Sequence, residues 1–133
     1  MLMGPAVDRY ESAQSLARVA SAPLVVCELI FTVTEGDRQH IAMIRDGRGD
    51  AETWAERYAI IWVARQFTHH SFPEIGRALA SDHSSVLRGY NRAKLLYRTD
   101  REFRALAANL VKHLPRRRRV QKGAREIMEG VRR

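Results

Sequence analysis

A single cysteine, Cys27, rules out an internal disulfide framework in this 133-residue chain and fits a reducing compartment. Its neighbours Leu24, Val25 and Val26 are apolar, so the thiol reads as a small core group rather than a reactive one. No run of about 18 apolar residues occurs, so no segment reads as a membrane span. The opening Met1-Leu2-Met3-Gly4 lacks the charged and long apolar stretches of a signal peptide, and the expectation is a cytoplasmic protein. No G-x-x-x-x-G-K-S/T loop is present, which excludes a phosphate-loop ATPase within these residues. Strand signals are sparse and apolar residues recur mostly at helical spacing, so the expected class is all-α.

What is abundant is positive charge, and its placement matters more than its total of +8. Residues 1–56 hold 5 Lys/Arg and 9 Asp/Glu, a net of −4. Residues 57–114 hold 10 and 4, and residues 115–133 hold 8 and 2, each a net of +6. An acidic first part followed by a basic remainder is the electrostatic footprint of a nucleic-acid binder.

The chain divides into an extension over 1–22, a helical domain over 23–114 and a basic tail over 115–133. Residues 1–7 read as unstructured. An amphipathic helix fits 8–20, with Tyr10, Ala13, Ala17 and Ala20 on one side. It could pack on the domain or serve as a partner surface. Residues 24–33 are rich in β-branched side chains, but a lone strand would have nothing to pair with, so a helix is expected. Ile41, Met43 and Ile44 suggest a short helix, and residues 45–50 a loop. Asp50 can cap a long helix to about Thr68, apolar on so much of its surface that it should be central. Thr99 is positioned to cap a last helix carrying Phe103, Leu106, Leu110 and Leu114, and Pro115 to end it. In the tail, 124–132 could form a further short helix on Ile127, Met128 and Val131.

The informative stretch is 67–94, FTHHSFPEIGRALASDHSSVLRGYNRAK. Ser71 and Glu74 form a capping-box pair, and Pro73 sits in the first turn, where its missing N–H costs nothing. Ile75, Ala78 and Leu79 make a narrow apolar stripe. Ala80 and Ser81 make a turn, and Ser81 or Asp82 can cap the next helix. There Val86, Tyr90, Ala93 and Tyr97 form the inward face, opposite Ser84, Arg88, Asn91 and Arg92. The entry turn, Asp82-His83-Ser84-Ser85, carries small polar groups suited to base edges in the major groove.

The matched positions Thr68, Ser71, Ile75, Gly76, Asp82, His83, Ser84, Ser85 and Val86 stand in the order T-x-x-S-x-x-x-I-G, turn, D-H-S/T-T/S-V. This resembles the DNA-binding C-terminal domain of the replication initiator DnaA, specifically over this core and more loosely over 23–114. The resemblance implies a helix-turn-helix in a Trp-repressor-like helical domain that binds double-stranded DNA without a cofactor. It further implies that Asp82, His83 and Ser84 contact bases, and that Ser85 with Leu87 contacts the backbone or a thymine methyl. Arg88, on the outward face of the same helix, joins the base-reading set. Pro73 would touch the DNA where the first helix crosses the backbone. Arg57 and Arg65 would meet phosphates, with surface salt bridges as the plainer alternative. Arg48, or else Arg45, would enter the minor groove, unless that loop is simply solvated. His70 would contact a phosphate or fill the turn before Ser71. One departure is that Ala80-Ser81 replaces the family's Gly-Gly-Arg, one residue shorter and without the arginine.

Asp82, His83 and Ser84 spell a triad, but adjacent helical residues do not face each other, so no catalytic relay is expected. His69, His70 and His83 lack a further ligand at metal spacing, so no metal is expected. The expectation is therefore a non-enzymatic, nucleoid-associated protein of a bacterium or phage. It would bind DnaA-box-like sites or a variant, acting on transcription or replication and meeting that machinery. The competing expectation is an adaptor that keeps the fold, has lost DNA specificity and works through the 8–20 helix.

Overall fold

The computed structural model describes residues 11–114, and every regular element among them is an α-helix. The order is α1 (Ala13–Ala20), α2 (Leu24–Thr34), α3 (Arg38–Asp46), α4 (Ala51–Phe67), α5 (Phe72–Ala78), α6 (His83–Thr99) and α7 (Arg101–Lys112). None of these helices is long and apolar enough to cross a membrane. The expectations placed on Tyr10, Pro115 and the 124–132 helix fall outside the described residues.

α4 is the axis of the fold. Its residues Ala59, Ile60, Ile61, Trp62, Val63 and Ala64 are all buried, so no face of this stretch is left to solvent, and exposure returns only at Arg65. A helix apolar all round has to be wrapped, and α2, α3, α5, α6 and α7 all pack on it. The ring of Trp62 stacks on Tyr97 of α6, with centroids 4.5 Å apart and planes 11° from parallel. Gln66 Nε2 donates to the Tyr90 hydroxyl at 2.7 Å and ties the same two helices.

α2 is helical despite its β-branched run, as expected. Val25, Val26, Cys27, Leu29 and Ile30 are all buried. A β-branched residue gives up at most about 0.7 kcal/mol of helix propensity, while burying it contributes about 1.5–3 kcal/mol. Burial therefore decides. It also pushes the Cys27 thiol up to about 12, which keeps it protonated and inert.

Three details differ from the sequence reading. α1 starts only after Ser12, whose hydroxyl accepts from the Ser15 amide at 3.0 Å, and its fully buried side chain is Leu16. α1 packs on α2 and α5, within the same core as the rest. Residues Arg45 and Asp46 belong to the last turn of α3, and the loop begins at Gly47. The cap of α7 is Asp100, whose carboxylate accepts from the amides of Glu102 and Phe103 at 2.9 and 3.2 Å. Thr99 ends α6 instead, with Oγ1 donating back to Leu95 O at 2.9 Å. A carboxylate that reaches two orphan amides outcompetes a hydroxyl already bonded to the preceding turn.

Candidate nucleic-acid interface

α5 and α6 are joined by a tight turn over residues 79–82. Ser71 Oγ accepts from the Glu74 amide at 3.3 Å, and Glu74 Oε1 accepts from the Ser71 amide at 2.8 Å, closing the capping box. Ile75, Ala78 and Leu79 are fully buried, which pins this two-turn helix to the core. The amides of Leu79 and Ser81 both donate to Gly76 O, at 3.1 and 2.9 Å. Ala80 takes the left-handed backbone, with φ of 53°. This costs an alanine roughly 1 kcal/mol and lets the short Ala80-Ser81 turn close without glycine. Asp82, not Ser81, caps α6, with its carboxylate accepting from the Ser85 amide at 2.8 Å.

Beyond that cap, α6 presents one polar edge. Asp82, His83, Ser84 and Arg88 are exposed, while Val86 points into the core. Ser85 is half-buried and its Oγ accepts from Arg88 at 3.2 Å. His83 is held from below, its ring lying 5.9 Å from that of Phe72 and 16° from parallel. Phe72 in turn carries the Arg65 guanidinium 4.4 Å above its ring and lies 5.5 Å from Tyr90. The sequence reading passed over Phe72. The signal was a large aromatic at the first position of a short helix, outside its apolar stripe.

The basic residues divide. Arg57 departs from the expectation of a phosphate contact, because only 6% of it is exposed and its guanidinium faces inward. It donates to Ile44 O and Ser81 Oγ, and to Arg45 O and Leu79 O at 3.4 Å each. Burial draws its pKa below the usual arginine value. It ties the ends of α3 and α5 to the turn before α6. Arg45 is likewise turned onto the end of α5, donating to Ala78 O at 2.8 Å and Arg77 O at 3.3 Å, where a cation complements the helix dipole. Both guanidiniums are thus bonded to the chain's own backbone.

Arg48 is different. It is exposed on the loop and pairs with Asp46 at 3.0 Å, an ion pair that water and salt weaken readily. Arg65 is exposed and donates to His70 O at 3.2 Å. His70 stays within its own turn, its amide donating to Thr68 Oγ1 at 3.2 Å and its Nδ1 lying 3.4 Å from Glu74 Oε1. Pro73 and Leu87 are exposed beside the polar edge, on α5 and α6.

A cleft of 480 Å³ adjoins this edge, lined by the α3–α4 loop, the first half of α4 and the start of α6. On the opposite side of α4, Glu35, Asp37, Asp50, Glu52 and Glu56 line a separate groove against α2 and α3. Arg57 and Glu56 are neighbours in sequence, yet about 100° of helix rotation places them on different faces. Five carboxylates thus line a groove on the side of α4 away from the α6 edge.

Three helix-capping carboxylates are held below their ordinary pKa values. The Thr53 amide, and then its hydroxyl, does so for Asp50; the Ser71 amide for Glu74; and the Ser85 amide for Asp82. A carboxylate whose folded pKa lies below its unfolded one stabilises fully above the unfolded value. That contribution is lost as pH falls through the folded value. Thermal unfolding followed by circular dichroism should give a Tm that holds from neutrality to about pH 5 and drops below about pH 4. Asp82→Asn, which caps without titrating, should flatten part of that slope. An unchanged slope would assign the acid sensitivity to other groups.

No protein-family model matches the chain, and no solved structure matches it.

Proposed function

We propose that this protein binds double-stranded DNA sequence-specifically, with α5, the turn and the start of α6 acting as a DnaA-like helix-turn-helix. The observation that carries the reading is the polar edge at the N-terminus of α6, Asp82, His83, Ser84 and Arg88, exposed on a helix whose entry is locked by caps and by Arg57. A helix N-terminus carries partial positive charge and favours phosphate. Its first side chains reach base edges in the major groove, where an arginine matches guanine, and a carboxylate or hydroxyl meets base amines. Arg48 and Arg65 are the flanking cations for the backbone, and Pro73 and Leu87 lie where the duplex would pass. DnaA-box-like sites or a variant are the targets in this reading, which makes the protein a regulator of transcription or replication initiation.

The test is fluorescence anisotropy on a DnaA-box duplex and a scrambled one, at low and moderate salt. The box should bind more tightly, and the preference should survive added salt. Equal, salt-sensitive binding to both would overturn sequence specificity. No binding to either would favour the adaptor reading. In the double variant His83→Ala with Ser84→Ala, preference for the box should fall by about 1–3 kcal/mol per lost contact while binding to the scrambled duplex persists.

A further inference from the structure

The cleft beside α6 has a composition that reading a duplex does not require. We infer that it holds a single unstacked nucleobase, lying on Trp54 with its phosphate on Arg88. Trp54 is one of two tryptophans and keeps 37% of its surface exposed, although it sits on the central helix. Its ring is braced, with Tyr58 at 5.7 Å and 36° and the Arg57 guanidinium 6.0 Å from the ring centre. Gly47, at the left-handed end of α3, lies so close that a Cβ there would stand 3.4 Å from the indole. A rigid aromatic ring left partly open in a concavity is a stacking platform, and stacking accepts any base because every base has a π-face.

The rest of the lining suits a nucleotide. The 480 Å³ volume falls within the range of about 300–1,000 Å³ typical of small-ligand sites. Arg88 lines the cleft and gives one of its five N–H donors to Ser85, leaving others for a phosphate. Asp46 supplies an acceptor and Ser85 a hydroxyl at the wall, the groups that base edges and sugars need. Gly89 deepens the floor, since a side chain there would run into Ile61. The cleft shares Arg88 with the proposed duplex-reading edge but takes in neither His83 nor Ser84, so Trp54 is the residue that tells the two sites apart. The base could come from a single-stranded segment or from a free nucleotide.

Trp62 is only 6% exposed, so quenching of tryptophan fluorescence by a ligand in the cleft reports on Trp54. The whole chain is titrated at moderate salt with a short oligothymidylate and, separately, with thymidine monophosphate. A labelled oligothymidylate and the two duplexes are followed by anisotropy. The oligonucleotide should quench the fluorescence to saturation. Trp54→Ala should weaken oligonucleotide binding about fivefold or more, Trp54→Phe should restore most of it, and duplex affinity should not change. Saturable quenching by the monophosphate at comparable concentration would assign the site to a free nucleotide, and quenching by the oligonucleotide alone to a strand. Oligonucleotide binding without quenching, or equal affinity of Trp54→Ala and the parent, would overturn the inference and leave backbone charge as the whole attraction. Because duplex binding is measured separately, either result can fail without the other.

Discussion

Replacing Arg57 by alanine should destabilise the protein by about 3 kcal/mol, a large effect for a residue the sequence marks as a surface cation. The guanidinium bonds Ile44 O, Arg45 O, Leu79 O and Ser81 Oγ, which belong to the end of α3, the end of α5 and the turn before α6. Removing it takes a donor from Arg45 O and leaves Ile44 O and Leu79 O with only the longer bonds from the Gly47 amide at 3.4 Å and the Ser81 hydroxyl at 3.3 Å, each under-satisfied group costing about 1–3 kcal/mol where water cannot substitute. Arg57→Lys should recover only part of the loss, because a compact ammonium cannot span sites that a planar fork bridges. Urea unfolding would measure both variants, with the midpoint lowered and the slope kept. The consequence for function is separable from stability. At a temperature where Arg57→Ala is still folded, its preference for the box duplex should be reduced, because the turn that aims α6 has lost a tether. A variant within about 1 kcal/mol of the parent would show that the guanidinium is not the tie between these elements.

The role of Arg57 was not legible in the sequence, for a specific reason. Its acceptors lie 12, 13, 22 and 24 residues away, and nothing local to Arg57 records them. Spacing paired it with Arg65, but eight residues turn a helix about 80° beyond two full turns. One arginine can therefore face the core while the other faces solvent. Local features fared better. The box of Ser71 and Glu74 and the cap at Asp50 were readable because both partners lie within three residues. α4 was readable because few helices are apolar on every side. α2 was ambiguous in its letters, and burial decided it. The edge at Asp82, His83, Ser84 and Arg88 was legible as a polar helix start. The ring of Phe72 beneath His83 was not, because stacking depends on where two helices cross.

Gly76→Ala is the second large effect expected, at about 2–3 kcal/mol of lost stability. The usual rule points the other way, since alanine in a helix is worth about 1 kcal/mol over glycine. At this position a Cβ would stand 2.4 Å from Ser81 O and 3.3 Å from a Val86 methyl. Ser81 O is backbone, fixed by the turn that also sends its amide to Gly76 O, so the clash can be relieved only by moving α5 from α6. Gly89→Ala is the internal control. There the Cβ would meet Ile61 Cδ1 at 2.7 Å, the end of a side chain that can rotate, so steric cost and helix propensity should nearly cancel, within about 1 kcal/mol. Two identical substitutions in adjoining helices should thus differ severalfold in cost, because one meets backbone and the other a movable methyl. Urea midpoints would show it. If α5 sets the aim of α6, Gly76→Ala should also bind the box and scrambled duplexes alike under conditions where it remains folded. Gly89→Ala should keep the parent's preference. If Gly76→Ala retained the preference, the angle between the two helices would not be what aligns Asp82, His83 and Ser84 with a base edge.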